Sequence, residues 1–209
     1  MPSLAGLREW AMREGLDGFN VTIPYKEAII PLLDHLAPEA RASGAVNCVS
    51  VVDGMLRGYN TDAPAFRETL LPHLKPWHTC ALVLGTGGAS KAVCHVLHQV
   101  GIDYTLVSRT PEAHPRAVSY TEAVSLAESH LLTINTTPVG MYPNVEATPW
   151  PRPDLWTERH LAYDLVYNPS PTRFLREASA QGAKAVGGLE MLHRQAELSW
   201  GRWRVIPIS

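Results

Sequence analysis

Hydrophobic residues recur along this chain at two different spacings, and the change from one to the other divides it. At the front, Leu4, Leu7, Trp10 and Ala11 fall at helical intervals with charges between them, and Gly15 follows as a terminator. The run Phe19 to Ile23 predicts a short strand, since Val, Thr and Ile favour a pleated surface, and Pro24 closes it by removing a backbone donor. Helical spacing returns between Ala28 and Ala42, where Pro31 and Pro38 predict two short helices rather than one long one. Ala45 to Val52 reads as a strand, Asp53-Gly54 as a hairpin turn and Met55 to Tyr59 as the returning strand. A further helix is expected from Ala65 to Leu74, before Pro76.

After Pro76 the pattern changes. Cys80 to Leu84 is apolar at every position, as in a strand covered on both faces. It runs into Gly85-Thr86-Gly87-Gly88-Ala89-Ser90, then a helix reaching Val100, then the strand Tyr104 to Val107. Strand, glycine turn, helix and strand at this length predict a βαβ unit in a parallel sheet with right-handed crossovers. More strands are expected at Leu131 to Ile134 and Leu161 to Leu165, each followed by polar loop residues. Leu189 to Trp203 predicts an amphipathic helix with Leu189, Leu192, Ala196, Trp200 and Trp203 on one side. The fold class expected is α/β, and 209 residues suffice for two compact halves.

Composition narrows the function classes. With 45% hydrophobic and 18% charged residues, neither disorder nor a collagen-like chain is expected. Eighteen Lys and Arg against twenty Asp and Glu give a net charge of -2, so no excess positive charge exists to neutralise a nucleic-acid backbone or an anionic membrane. Cys48, Cys80 and Cys94 form no C-x-x-C pair and read as reduced thiols of a cytoplasmic protein. No apolar run approaches the roughly 20 residues that span a bilayer. The first residues mix Arg8, Glu9, Arg13 and Glu14 among apolar ones, unlike a signal peptide or anchor.

The candidate chemistry starts at the glycines. A pyrophosphate at a strand end needs outward backbone N–H groups at a helix N-terminus and no bulky side chain in the way. Gly85 would make the tight turn and Gly87 the close approach, while the third position of the usual G-x-G-x-x-G pattern is Ser90. At the end of the next strand an NAD site usually carries an acid; here stands Ser108-Arg109-Thr110, and a guanidinium would pair with a ribose 2′-phosphate. NADP is therefore expected over NAD. Oxidising a secondary alcohol also needs a group that takes the hydroxyl proton. Lys26, just past a strand end, is the first candidate, although a lone lysine there is most often a surface charge; Asp62 is an equally plain carboxylate by itself.

Taken together the segments are more specific. Asn20-Val21-Thr22-Ile23-Pro24-Tyr25-Lys26, Gly44-Ala45-Val46-Asn47, Gly58-Tyr59-Asn60-Thr61-Asp62, the glycine turn, Ser108-Arg109-Thr110, Asn135-Thr136-Thr137-Pro138-Val139-Gly140-Met141, Asp164-Leu165-Val166-Tyr167-Asn168-Pro169 and Gly188-Leu189-Glu190-Met191-Leu192 with Gln195 run in one order across nearly the whole chain. This set resembles the shikimate dehydrogenases, including their quinate-using relatives. The resemblance implies a Rossmann-type NADP domain, here residues 63–187, and a smaller α/β substrate domain made of 1–62 and 188–209, with the active site in the cleft between them. It implies that Lys26 and Asp62 are catalytic and that Thr22, Asn47, Tyr167 and Gln195 contact substrate. It further implies that Gly85, Gly87, Gly88, Ala89 and Ser90 hold the pyrophosphate, Ser108, Arg109 and Thr110 the ribose phosphate, and Thr136, Leu165 and Gly188 the nicotinamide half. A small-molecule substrate is implied as partner, and a homodimer is compatible with it.

The departures are few. Members of the family carry an upstream strand, helix and strand with a Ser-x-Ser pair for the substrate carboxylate; none precedes Asn20, and Ser3 stands alone. Two expectations remain open, a chain that continues upstream and a reduced, non-catalytic NADP-binding form. A quinate- or aminoshikimate-type dehydrogenase is a third. Tyr25, Pro64 with Ala65, and Glu190 also depart from common residues without removing a reacting group. His95 and His98 lie three apart, but no histidine spacing predicts a metal site.

Overall fold

The computed structural model describes residues 4–22 and 24–204, so Ser3 and Ile23, both named above, lie outside the described residues. The chain divides into two compact units, Met1–Ala65 with His193–Ser209, and Phe66–Leu192.

The first unit opens with α1 (Leu7–Arg13), β1 (Gly18–Asn20), α2 (Tyr25–Ala28), β2 (His35–Leu36), α3 (Pro38–Ser43), β3 (Cys48–Val52) and β4 (Met55–Tyr59). The strands form one sheet in the order β1-β3-β4-β2. The expected hairpin joins β3 to β4, with Asp53 and Gly54 at φ 51° and 75°, the doubly positive turn that matches the strands' twist. The sheet's core is Val49 and Leu56 packed with Leu7, Ile29, Ala40 and Val46.

Two helices were expected between Ala28 and Ala42, and the structure differs. Pro31 permits only a 3-10 turn, Ile30–Leu32, after which His35 and Leu36 pair with Arg57 and Gly58 as an edge strand. Pro38 does not interrupt a helix but begins α3, where its missing N–H is not needed. The first strand also ends early, at Asn20, because the Thr22 carbonyl turns to accept Tyr25 N–H at 2.9 Å.

α4 (Asp62–Leu70) leads into the second unit, which contains β5 (Cys80–Leu84), α5 (Gly88–Gln99), β6 (Asp103–Val107), β7 (Ala117–Val118), α6 (Tyr120–Ser125), β8 (Leu132–Asn135), β9 (Leu161–Asp164), α7 (Arg173–Ala180) and β10 (Lys184–Gly187). All neighbouring strands are parallel, in the order β10-β9-β8-β5-β6-β7. The order reverses beside β5, which is the doubly wound arrangement whose crevice lies outside the carboxyl ends of the strands. Leu82 and Leu84 pack with Trp150, Trp156, Phe174 and Leu175, and the Trp156 ring meets Phe174 edge-on at 5.5 Å. β7, α6, α7 and β10 are elements beyond those expected. β7 and β10 are two and four residues long and lie at the sheet edges, where only pairing marks them as strands.

α8 (Leu189–Trp203) has the expected bounds, and of the expected face Leu192 and Trp203 are partly buried while the other three residues are exposed. Leu189 and Trp200 are 44% and 54% exposed, and Ala196 is exposed as well. The buried residue is Ser199, and Trp203 donates from its indole to the Val49 carbonyl at 3.0 Å over Gly18, where any Cβ would collide with the ring. The helix is thus held by small and polar contacts that an apolar count does not weigh. Among the described residues no helix is long and apolar enough to cross a membrane.

Candidate active site

In the first unit five polar residues, Lys26, Asn47, Thr61, Asp62 and Ser199, are linked by hydrogen bonds. Lys26, on the single turn α2, places Nζ 2.7 Å from Asp62 Oδ2, with the two side chains 18% and 16% exposed. Asp62 is the first residue of α4, where the unpaired N–H groups of the helix favour a negative charge. Its other oxygen accepts from Asn47 Nδ2 at 2.8 Å. Asn47 also donates to Thr61 Oγ1 at 2.9 Å and accepts Thr61 N–H at 2.7 Å, so its amide has one orientation only. Thr61 Oγ1 in turn lies 3.0 Å from Ser199 Oγ of α8.

The backbone explains why these groups converge. Val46 N–H donates to the Lys26 carbonyl at 2.8 Å, which stitches the lysine turn to the segment carrying Asn47. Asn60 bonds Ser43 Oγ and the Ala45 carbonyl and accepts Ala63 N–H at 2.9 Å, which fixes the start of α4. Thr22 is exposed at the end of the β1 segment, and Gln195 is half-buried on α8. Tyr167 belongs to the second unit, 46% exposed just past β9.

In the second unit Gly85, at φ 104°, lies against Thr136 and Thr137: a Cβ there would stand 2.9 Å from Thr136 Oγ1 and from Thr137 Cγ2. Gly87 is the residue before α5, has open space where a Cβ would be, and offers no side-chain cap to the helix. Together with Gly88 and Ala89, the first helical residues, this is a cradle shaped for an anion at a free helix N-terminus. Ser90 turns inward, its hydroxyl donating to the Gly87 carbonyl at 2.6 Å. Past β6, Ser108 Oγ accepts Thr110 N–H at 3.1 Å, and Arg109 is exposed. Thr86 of the glycine turn bonds His114 at 3.0 Å, a link the sequence reading did not foresee. Gly85→Ala is expected to lower stability by about 1–3 kcal/mol, because it forces a Cβ into a positive-φ, occupied position. A thermal melt unchanged from the wild type would contradict that packing.

A third cluster lies at the ends of β8 and β9 and was also missed, although each of these strands ends on a polar residue in the sequence. Asp164 accepts from Asn135 Nδ2 at 2.9 Å, Val166 N–H at 2.9 Å and Thr172 Oγ1 at 2.6 Å, and the Asp164, Asn135 and Thr172 side chains are fully buried. Thr136, Leu165 and Gly188 surround it. Thr136 donates from Oγ1 to the Leu84 carbonyl, Leu165 N–H donates to the Asn135 carbonyl, and a Cβ on Gly188 would overlap the Leu165 carbonyl.

Burial pushes the Asp164 carboxyl up to about 6, against three hydrogen bonds that favour the charged form. The folded state therefore holds this proton more tightly than the unfolded chain, whose value is near 3.8. Its contribution to stability is full below that lower value and falls away as pH rises through about 6. The difference in unfolding free energy between the wild type and Asp164→Asn should decline over that window and be flat above it. A constant difference would remove the assignment.

Comparison with known proteins agrees with these features. Residues 2–49 match the family model of the shikimate dehydrogenase substrate binding domain. The curated shikimate dehydrogenase (NADP(+)) of Salinibacter ruber is 41% identical over 206 residues, covering 89% of this chain and 72% of that one. The crystal structure of shikimate 5-dehydrogenase from Thermus thermophilus, in complex with NADP(H) and shikimate, superposes with a TM-score of 0.86 at 40% identity over 98% of this chain and 78% of that one. Quinate dehydrogenase from Corynebacterium glutamicum, in complex with NAD, gives a TM-score of 0.87 at 27% identity over 97% and 77%. Sequence likeness of this degree over most of both chains, on a doubly wound sheet with an open glycine cradle, makes the chain a member of the shikimate dehydrogenase family.

Proposed function

We propose that the chain catalyses the reversible, NADP-dependent reduction of 3-dehydroshikimate to shikimate, a step of aromatic amino-acid biosynthesis. The observation that carries this reading is the Lys26–Asp62 pair, 2.7 Å apart and oriented from behind by Asn47. Reducing a ring ketone to a secondary alcohol adds a hydride to carbon and a proton to oxygen. When bound, NADPH supplies the hydride. Lys26 holds the proton: its ammonium directs one hydrogen at Asp62 and has others for a substrate oxygen, on which negative charge grows as the carbonyl is reduced. Asp62 keeps the ammonium in place and can accept from a neighbouring substrate hydroxyl. Thr22, Gln195 and Tyr167 are assigned to further hydroxyls of the substrate, and Asn47 acts on it at least through Asp62.

For the cofactor, Gly85, Gly87, Gly88 and Ala89 hold the pyrophosphate, with Ser90 closing the turn from inside. Ser108, Arg109 and Thr110 take the ribose 2′-phosphate, and Thr136, Leu165 and Gly188 the nicotinamide half. The substrate domain is assigned to residues 1–62 with 188–209 and the NADP domain to 63–187. A cytoplasmic location is part of the same reading, supported by free Cys48, Cys80 and Cys94. A homodimer is part of it too, and a monomeric mass by light scattering would remove that component.

The test is an NADPH-absorbance assay of the purified chain with shikimate and quinate, each with NADP and NAD. Shikimate with NADP is expected to be fastest, in line with 40% identity to the shikimate enzyme against 27% to the quinate enzyme. Faster quinate turnover would reassign the substrate, and NADP binding without turnover would make the chain a nucleotide-binding protein.

A further inference from the structure

We propose that Asp164, acting through Asn135, is a positioning residue for the nicotinamide half of the cofactor; this rests on the NADP reading above. The placement follows from the sheet. Strand order reverses beside β5, so a dinucleotide lies across the ends of β5 and its neighbours. The phosphate cradle follows β5 and Arg109 follows β6, which leaves the ends of β8 and β9 for the other half of the molecule. Asn135 and Asp164 are the last residues of those two strands and are paired across them.

Asn135 is the hub of the segment after β8. Its Oδ1 accepts from Thr137 N–H at 3.0 Å and Thr137 Oγ1 at 2.7 Å, while its Nδ2 reaches the Val139 carbonyl at 3.3 Å. Thr137 Oγ1 also accepts Val139 N–H at 3.2 Å, closing a ring of bonds through residues 135–139. This ring exists in only one orientation of the Asn135 amide, since a flip would turn its oxygen onto the Asp164 carboxylate. Asp164 therefore sets the amide, and through it the shape of the segment. The same carboxylate holds Val166 N–H and so shapes the segment 165–167 after β9.

Filling space alone does not require this carboxylate. Its three partners are neutral, it has no exposure to water, and an apolar residue would occupy the site without the cost of desolvating a charge. What an acceptor-only group adds is direction: it takes three donors at once and tolerates no oxygen facing it. A stability cost confined to the rim of a ligand crevice is the pattern expected of a group retained for function.

The experiment measures binding of NADP and of adenosine 2′,5′-bisphosphate by tryptophan fluorescence, in the wild type, Asp164→Asn and Thr137→Val. The bisphosphate carries only the adenosine end and does not reach β8 or β9. Asp164→Asn, which keeps the shape and removes the charge, is expected to weaken NADP about ten-fold, the equivalent of one charge-assisted hydrogen bond, and to leave the bisphosphate within about two-fold. Thr137→Val, which breaks the ring at a second point, should show the same selectivity if Asp164→Asn does not fold. NADP binding at wild-type strength in a folded variant overturns the proposal, as does equal weakening of both ligands, which marks general loosening. A wild type that binds neither ligand overturns the NADP reading itself and this inference with it, whereas binding without shikimate turnover leaves only the reaction assignment at fault.

Discussion

Lys26→Ala is expected to lower kcat for shikimate oxidation by about 10²–10⁴-fold, the usual contribution of a positioned proton-transfer group. NADP affinity should stay near the wild-type value, because the glycine cradle and Arg109 belong to the other unit. Loss of the lysine also leaves Asp62 with Asn47 as its side-chain partner, so part of any effect could come from a displaced carboxylate. Lys26→Arg separates the two causes. A guanidinium keeps the positive charge beside Asp62 but does not give up its proton at neutral pH. KM for shikimate should therefore change little in that variant while kcat falls nearly as far as in the alanine variant. Turnover within a few-fold of wild type in Lys26→Arg would show that the ammonium orients substrate and transfers no proton.

Arg109→Ala is expected to raise KM for NADP by roughly 10–100-fold, the range of a lost charge-assisted hydrogen bond pair to a phosphate. KM for NAD should be unchanged, since NAD has no 2′-phosphate to lose. The quantity to follow is the ratio of kcat/KM for the two cofactors, which is free of general damage to the enzyme. Arg109→Lys should recover part of the preference, because an ammonium supplies charge but not the planar fork. The side chain is exposed, so neither change should alter the fold, and a melting curve checks this. An unchanged ratio in Arg109→Ala would mean that another group reads the ribose phosphate; His114, bonded to Thr86 of the glycine turn, would then be the first to replace.

How far the sequence foretold these features depends on how local each one is. The β5 strand, the glycine turn and α5 were legible because an unbroken apolar run, small residues and a helical period fall within twenty residues of one another. The β3–β4 hairpin was legible from Asp53-Gly54 for the same reason. β2, β7 and β10 were not, since these edge strands bury little side chain and carry no β-branched run of the kind that marks the Phe19 to Ile23 segment. α6 carries a local signal outside any apolar period, the Ser119–Glu122 capping box, in which each side chain bonds the other residue's backbone. The expected apolar stripe of α8 failed at Trp200, because a helix anchored by a buried serine and an indole N–H does not follow hydrophobicity.

By itself the order of residues determined the chemical inventory: a cradle for phosphate, a cation after the second strand of the parallel sheet, an amine and an acid at strand ends, and the motifs of one enzyme family. These depend on side-chain volume, charge and short-range period, which neighbours in sequence express without folding. Only the tertiary structure decided that Lys26 and Asp62, 36 positions apart, touch at 2.7 Å, that Asn47 spends its amide holding the acid, and that Asp164 lies buried among neutral donors. Hydrogen-bond distances and desolvation arise from groups brought together across strand register and helix ends, and no local pattern along the chain encodes them.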